Sequence, residues 1–62
     1  MTDYDAFLNQ KVGVYYVLEN GLLIHLSGTL EKINYKTIRV ETERTTRHIY
    51  KSRVKGIARE GR

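Results

Sequence analysis

From Lys11 onward the apolar and polar positions alternate with a period of two. Val12, Val14, Tyr16 and Leu18 fall on one face, and Gly13, Tyr15 and Val17 on the other, the pattern of a β-strand with two usable faces. Asn20-Gly21 follows, a pair suited to the positive φ angles of a type I′ hairpin turn. The chain returns with Leu22, Ile24, Leu26, Gly28 and Leu30 on one face and Leu23, His25, Ser27, Thr29 and Glu31 on the other. A glycine inside a strand, at Gly28, predicts a sharp bend or a close backbone approach.

Ahead of this hairpin, Tyr4, Phe7 and Leu8 share one stripe at helical spacing, and Thr2 or Asp3 can cap a helix over about 3–10. Two helical turns are unstable alone in water, so the stripe must dock on the remaining structure. Beyond the hairpin, Asn34 starts a turn, Ile38 and Val40 point inward, and Arg39 and Glu41 point outward. Another turn falls near Thr45, and Lys51-Ser52-Arg53 makes a tight connection into a last strand. The predicted strands cover about 11–19, 22–33, 37–43, 46–50 and 54–58. The expected fold is mainly β: a short N-terminal α-helix, then a strongly bent five-stranded antiparallel sheet or small barrel, as one domain over 1–62. Its first and last strands would expose unpaired edges, which pairing between subunits would satisfy.

Length sharpens that expectation. A 62-residue chain buries only about 60% of the surface that it exposes when unfolded. Small domains usually add disulfides, metal or association. The chain has no cysteine, and its two histidines, His25 and His48, lack companions at zinc-ligand spacing, so association is the expected support. No window approaches the roughly 18 uncharged apolar residues of a membrane span, and the acidic N-terminus does not resemble a secretory signal. A soluble, cytoplasmic protein with no membrane partner is expected.

Charge divides the chain. Over 1–31, Lys11 stands against Asp3, Asp5, Glu19 and Glu31, a balance of −3, whereas 32–62 carries ten Lys and Arg against Glu41, Glu43 and Glu60, a balance of +7. Such asymmetry points to a polyanionic partner. Catalytic chemistry is not indicated: there is no Ser-His-Asp order, no carboxylate pair beside a base and no phosphate-binding glycine loop. No enzyme activity, cofactor, catalytic residue or metal ligand is expected.

The ordered motifs resemble the Sm-like (LSm) proteins and, among them, the Hfq-type bacterial RNA chaperones. Asp5-Ala6-Phe7-Leu8-Asn9 is similar to the Asp-Pro-Phe-Leu-Asn of the family's N-terminal helix, and the stretch from Val12 to Asn20-Gly21 runs without gaps against its first strand and turn. Gly28-Thr29-Leu30 with Ile33-Asn34 resembles the first Sm motif. Ile49-Tyr50-Lys51-Ser52-Arg53-Val54 resembles the Val-Tyr-Lys-His-Ala-Ile of the second. The likeness runs from Asp5 to Ala58.

The resemblance implies a homo-oligomeric ring of roughly five to seven subunits, built by pairing the fourth strand of one subunit with the fifth of the next. It also implies single-stranded RNA bound near the pore, as an RNA chaperone or regulator. Carried over by position, the RNA-binding residues are Asn34, Tyr35 and Lys36, then Tyr50, Lys51, Ser52 and Arg53, with Tyr4 nearby; Val17, Leu23 and His25 are candidates on a second face. Tyrosine rings can stack unstacked bases, and lysines neutralise phosphate. The sequence departs from the family where Ser52 replaces the pocket histidine, where Tyr35-Lys36 replace glutamine and phenylalanine, and where Val17 replaces a stacking tyrosine. An arginine-rich helix end is also missing. An alternative of a different class is a non-enzymatic assembly or protein-interaction module on the same barrel, which would retain protein partners after nuclease treatment.

Overall fold

The computed structural model describes residues 3–60. Five antiparallel strands, β1 (Lys11–Val17), β2 (Leu23–Ile33), β3 (Thr37–Glu41), β4 (Thr46–Tyr50) and β5 (Val54–Arg59), form one sheet in the order β4-β3-β2-β1-β5. The five predicted strands are present, but the sheet is not closed into a barrel. β4 and β5 are its two edges. The sheet is nonetheless curled, because Val12 and Val14 of β1 and Ile49 of β4, with two strands between them, bury into one cluster with Tyr16, Leu30, Ile38 and Val40.

The alternation read from the sequence sets this core. Val12, Val14 and Leu30 are fully buried, and Ile38 and Val40 on β3 complete the floor. Leu18 and Leu22, expected on the inward face, are exposed instead. They lie beyond the last β1–β2 pair, Val17 with Leu23, and therefore past the edge of the core. Between Leu30 and Lys32 the pairing with β3 shifts by one residue. This bulge at Glu31 lets Ile33 turn back toward the core after the strand changes phase.

Three local expectations are corrected. The predicted helix over 3–10 is a single 3-10 turn, Tyr4–Phe7. The Asp3 carboxylate accepts from the Asp5 N–H (3.1 Å), and the N–H groups of Leu8 and Gln10 donate to the carbonyls of Asp5 and Phe7, three residues back. Asn9 then adopts φ 64° and ends the turn. Its N–H donates to the Leu30 carbonyl (2.7 Å), while the Gln10 carbonyl accepts from the Leu30 N–H (3.0 Å). Tertiary pairing with β2 thus takes backbone groups that a second helical turn would need. Tyr4 and Phe7 pack against the core, whereas Leu8 is left exposed. Thr2, the other candidate cap, lies outside the described residues.

The hairpin turn is not type I′ either. Gly21 alone has positive φ (86°); Asn20 does not, so the I′ requirement at both central positions fails. The Gly21 N–H donates to the Leu18 carbonyl, the Leu18 N–H donates to that of Leu22, and the Asn20 side-chain oxygen accepts from the Leu22 N–H. These bonds define a three-residue loop with glycine at its left-handed position. β3 ends at Glu41 rather than near residue 43, because the Thr42 hydroxyl donates to the Thr45 carbonyl and accepts from the Arg44 and Thr45 N–H groups, closing the β3–β4 turn early.

Candidate nucleic-acid interface

Asn34, Tyr35 and Lys36 form the β2–β3 turn. The Asn34 N–H donates to the Thr37 carbonyl (2.8 Å), and its side-chain amide donates to the Thr37 hydroxyl (3.4 Å), so asparagine builds the loop from both ends of its own residue. Thr37 pairs with Tyr50 across β3 and β4. One residue further, the Lys51 N–H donates to the Lys36 carbonyl (2.8 Å). That bond joins the two segments singled out in the sequence. On the far side of the second segment, Lys51 Nζ stands 5.4 Å from the centre of the Tyr4 ring.

Five of the candidate residues are thereby gathered: Tyr4, Asn34, Tyr35, Lys36 and Lys51. Tyr35 is 91% exposed, and an open aromatic ring next to Lys36, on a loop whose backbone is bonded to Lys51, is chemically suited to a base and its phosphates. Ser52 is exposed in a 3-10 turn spanning Lys51–Arg53. Tyr50 and Arg53 line a different concavity, a cleft of about 520 Å³ between the hairpin end and β4 that also includes Tyr16, Val17 and Arg47. Val17, grouped in the sequence with a second face, therefore shares a cleft with Tyr50 and Arg53.

Leu23 stands directly opposite Val17 across the hairpin, and His25 opposite Tyr15, so Val17, Leu23 and His25 share one face of it. His25 pairs with Tyr15 across β1 and β2, with ring centres 4.6 Å apart, and its Nε2 lies 3.2 Å from Glu60 Oε2. Both side chains reach over Gly13, where any Cβ would collide with them.

Sequence reasoning missed Arg59, which it counted only as one base among many. Arg59 Nη2 donates to the Ala6 carbonyl (3.1 Å), and its guanidinium carbon lies 5.4 Å from the Phe7 ring centre. The two partners are separated by 53 residues, so no local pattern announces the contact.

The outer face of β2 and β3 carries a second electrostatic cluster. Glu31, displaced by the bulge, places Oε1 3.4 Å from Arg39 Nε. The Glu41 carboxyl is raised above its usual value of 4.5, first by a hydrogen bond with Glu31, then by the charge of Glu31 and by desolvation, with Arg39 opposing. A carboxyl raised in the folded state favours folding at acid pH, and that contribution is lost as pH rises through the folded value. Glu41→Gln should therefore raise the melting temperature slightly near pH 7. The gain should vanish at about pH 3, where the wild-type carboxyl is itself protonated; parallel thermal melts at the two pH values check both the sign and the disappearance.

Fold and site together define a small all-β protein with an open, curled antiparallel sheet and a lysine–tyrosine loop cluster at one end. Comparison with protein-family models, with curated proteins and with solved structures found no match. Among the described residues, no helix is long and apolar enough to cross a membrane.

Proposed function

We propose that this chain is a single-stranded-RNA-binding protein of Sm-like type that assembles into a homo-oligomeric ring and acts as an RNA chaperone or regulator. The observation that carries the RNA reading is the Lys51–Lys36 backbone bond, which sets two lysines, the open Tyr35 ring and the Tyr4 ring on one end of the sheet. Phosphate neutralisation by lysine and base stacking on tyrosine are the two contacts that sequence-tolerant single-strand binding needs. The +7 balance of 32–62 supplies the long-range attraction. Assembly is supported by the two unpaired edges, β4 and β5, which pair head to tail if the rotation closes.

Fluorescence anisotropy with labelled oligo(U), oligo(A) and a mixed-sequence RNA at two salt concentrations tests the binding. Micromolar or tighter binding at low salt is expected. Lys51→Ala should weaken all three RNAs and reduce the salt slope by about 1, the signature of one lost phosphate contact. No binding to any of the three would sink the RNA reading. Native mass spectrometry tests the ring independently: a species at several times 7.3 kDa is expected, and a monomer alone rejects assembly.

A further inference from the structure

Two aromatic rings project from the 3-10 turn, and each lies under a cation supplied from the C-terminal part of the chain. Lys51 Nζ is 5.4 Å from the Tyr4 ring centre, and Arg59 Cζ is 5.4 Å from that of Phe7. Arg59 also donates a hydrogen bond to the carbonyl of Ala6, inside the same turn. A four-residue turn has little intrinsic stability. Its cap, from Asp3 to Asp5, lies within the N-terminal segment, and its attachment to β2 comes after it, at Asn9 and Gln10. Arg59 ties the body of the turn to β5.

We propose that Arg59 is a positioning residue for Lys51: by holding the turn against β5, it fixes the Tyr4 ring on which the Lys51 ammonium rests. The inference rests on the reading that Lys51 contacts RNA. A lysine stem free to rotate must be ordered when it meets a phosphate, and holding it beforehand removes part of that penalty. The ring takes one side of the ammonium and leaves its other N–H groups for an anion. Arginine suits the anchoring task because its planar fork can stack on Phe7 and donate to Ala6 at once, whereas a lysine offers a point charge.

The coupling is read first without RNA. In the full chain, the Lys51 ε-methylene protons should show an NMR ring-current displacement that persists in Tyr4→Phe and disappears in Tyr4→Leu. Arg59→Ala should move those signals toward the free-lysine position, although Arg59 stacks on Phe7 and not on Tyr4. If Arg59→Ala does not give a folded spectrum, Arg59→Lys is read in its place and should produce a partial shift. Unchanged Lys51 signals in a folded Arg59 variant overturn the proposal.

The second arm uses labelled oligo(U). Arg59→Ala should weaken binding by about two- to fivefold in the otherwise wild-type chain, with the salt slope unchanged, and should have no further effect in the Lys51→Ala background. Equal weakening in both backgrounds, with the slope reduced by about 1, means that Arg59 touches phosphate itself and also overturns the proposal. Should the wild-type chain bind no RNA, the functional reading fails, while the NMR arm still decides whether Arg59 orders Lys51.

Discussion

Leu30→Ala is expected to leave much of the protein unfolded. Leu30 is fully buried and pairs with Val40 beside the bulge. Its backbone also receives the N-terminal segment, through Asn9 and Gln10. Truncating a buried leucine to alanine destabilises by about 2–5 kcal/mol, more where the surroundings cannot collapse into the void. Here they are held on three sides: by the paired strands β1 and β3, and by the N-terminal segment. A domain of this length has a total stability of only about 3–9 kcal/mol, so the substitution removes a large share. With a denaturant slope near 1 kcal/mol per molar urea for so small a protein, the unfolding midpoint should drop by about 2 M or more. A midpoint almost unchanged would mean that the core is not organised around this side chain.

Gly28→Ala is expected to have the second largest effect. A Cβ at this position would run into the Glu41 carbonyl oxygen and stand 2.9 Å from Val40 Cγ1 and 3.0 Å from the Glu41 carbonyl carbon. Backbone atoms cannot rotate away, so β2 and β3 would have to separate locally. Overpacking of this kind typically destabilises by about 1–3 kcal/mol. Gly56→Ala is the matched control, because a Cβ there meets nothing within 4 Å and the backbone does not have positive φ. It should be neutral or stabilise by up to about 1 kcal/mol through the unfolded chain. Urea melts of the two variants side by side separate the steric claim from a general intolerance of side chains at strand glycines. Equal destabilisation by both would refute it.

The Gly28 result bears on how much of this protein was legible beforehand. A glycine in an alternating strand signals either a bend or a close approach, and the sequence cannot say which neighbour approaches. The structure names it, the carbonyl of Glu41 on β3. The hairpin shows the same limit. Asn20-Gly21 marked the turn correctly, but its type depends on how Leu18 and Leu22 leave the sheet, and only Gly21 takes the positive φ. At the N-terminus, spacing that suited a helix became one 3-10 turn because Leu30 captured the backbone of Asn9 and Gln10.

The candidate site divides similarly. Asn34, Tyr35, Lys36 and Lys51 stand out in the sequence through the resemblance to the Sm-like motifs. Their convergence depends on the Lys51–Lys36 bond and the Thr37–Tyr50 register, which are tertiary facts. Arg59 was hidden altogether, since an exposed arginine at a strand end carries no sign of the carbonyl it will meet 53 residues away.

By itself, the sequence determined the number of strands and their succession along the chain, the inward positions Val12, Val14, Leu30, Ile38 and Val40, and the division of charge between the two halves. These follow from the two-residue pleat and from composition, both of which act locally. The tertiary structure decided that the sheet stays open at β4 and β5, that the N-terminal segment is a turn clamped by Arg59, and that Lys36, Lys51 and Tyr4 meet. Each of these depends on which backbone groups find partners across long stretches of chain, and local alternation does not encode that competition.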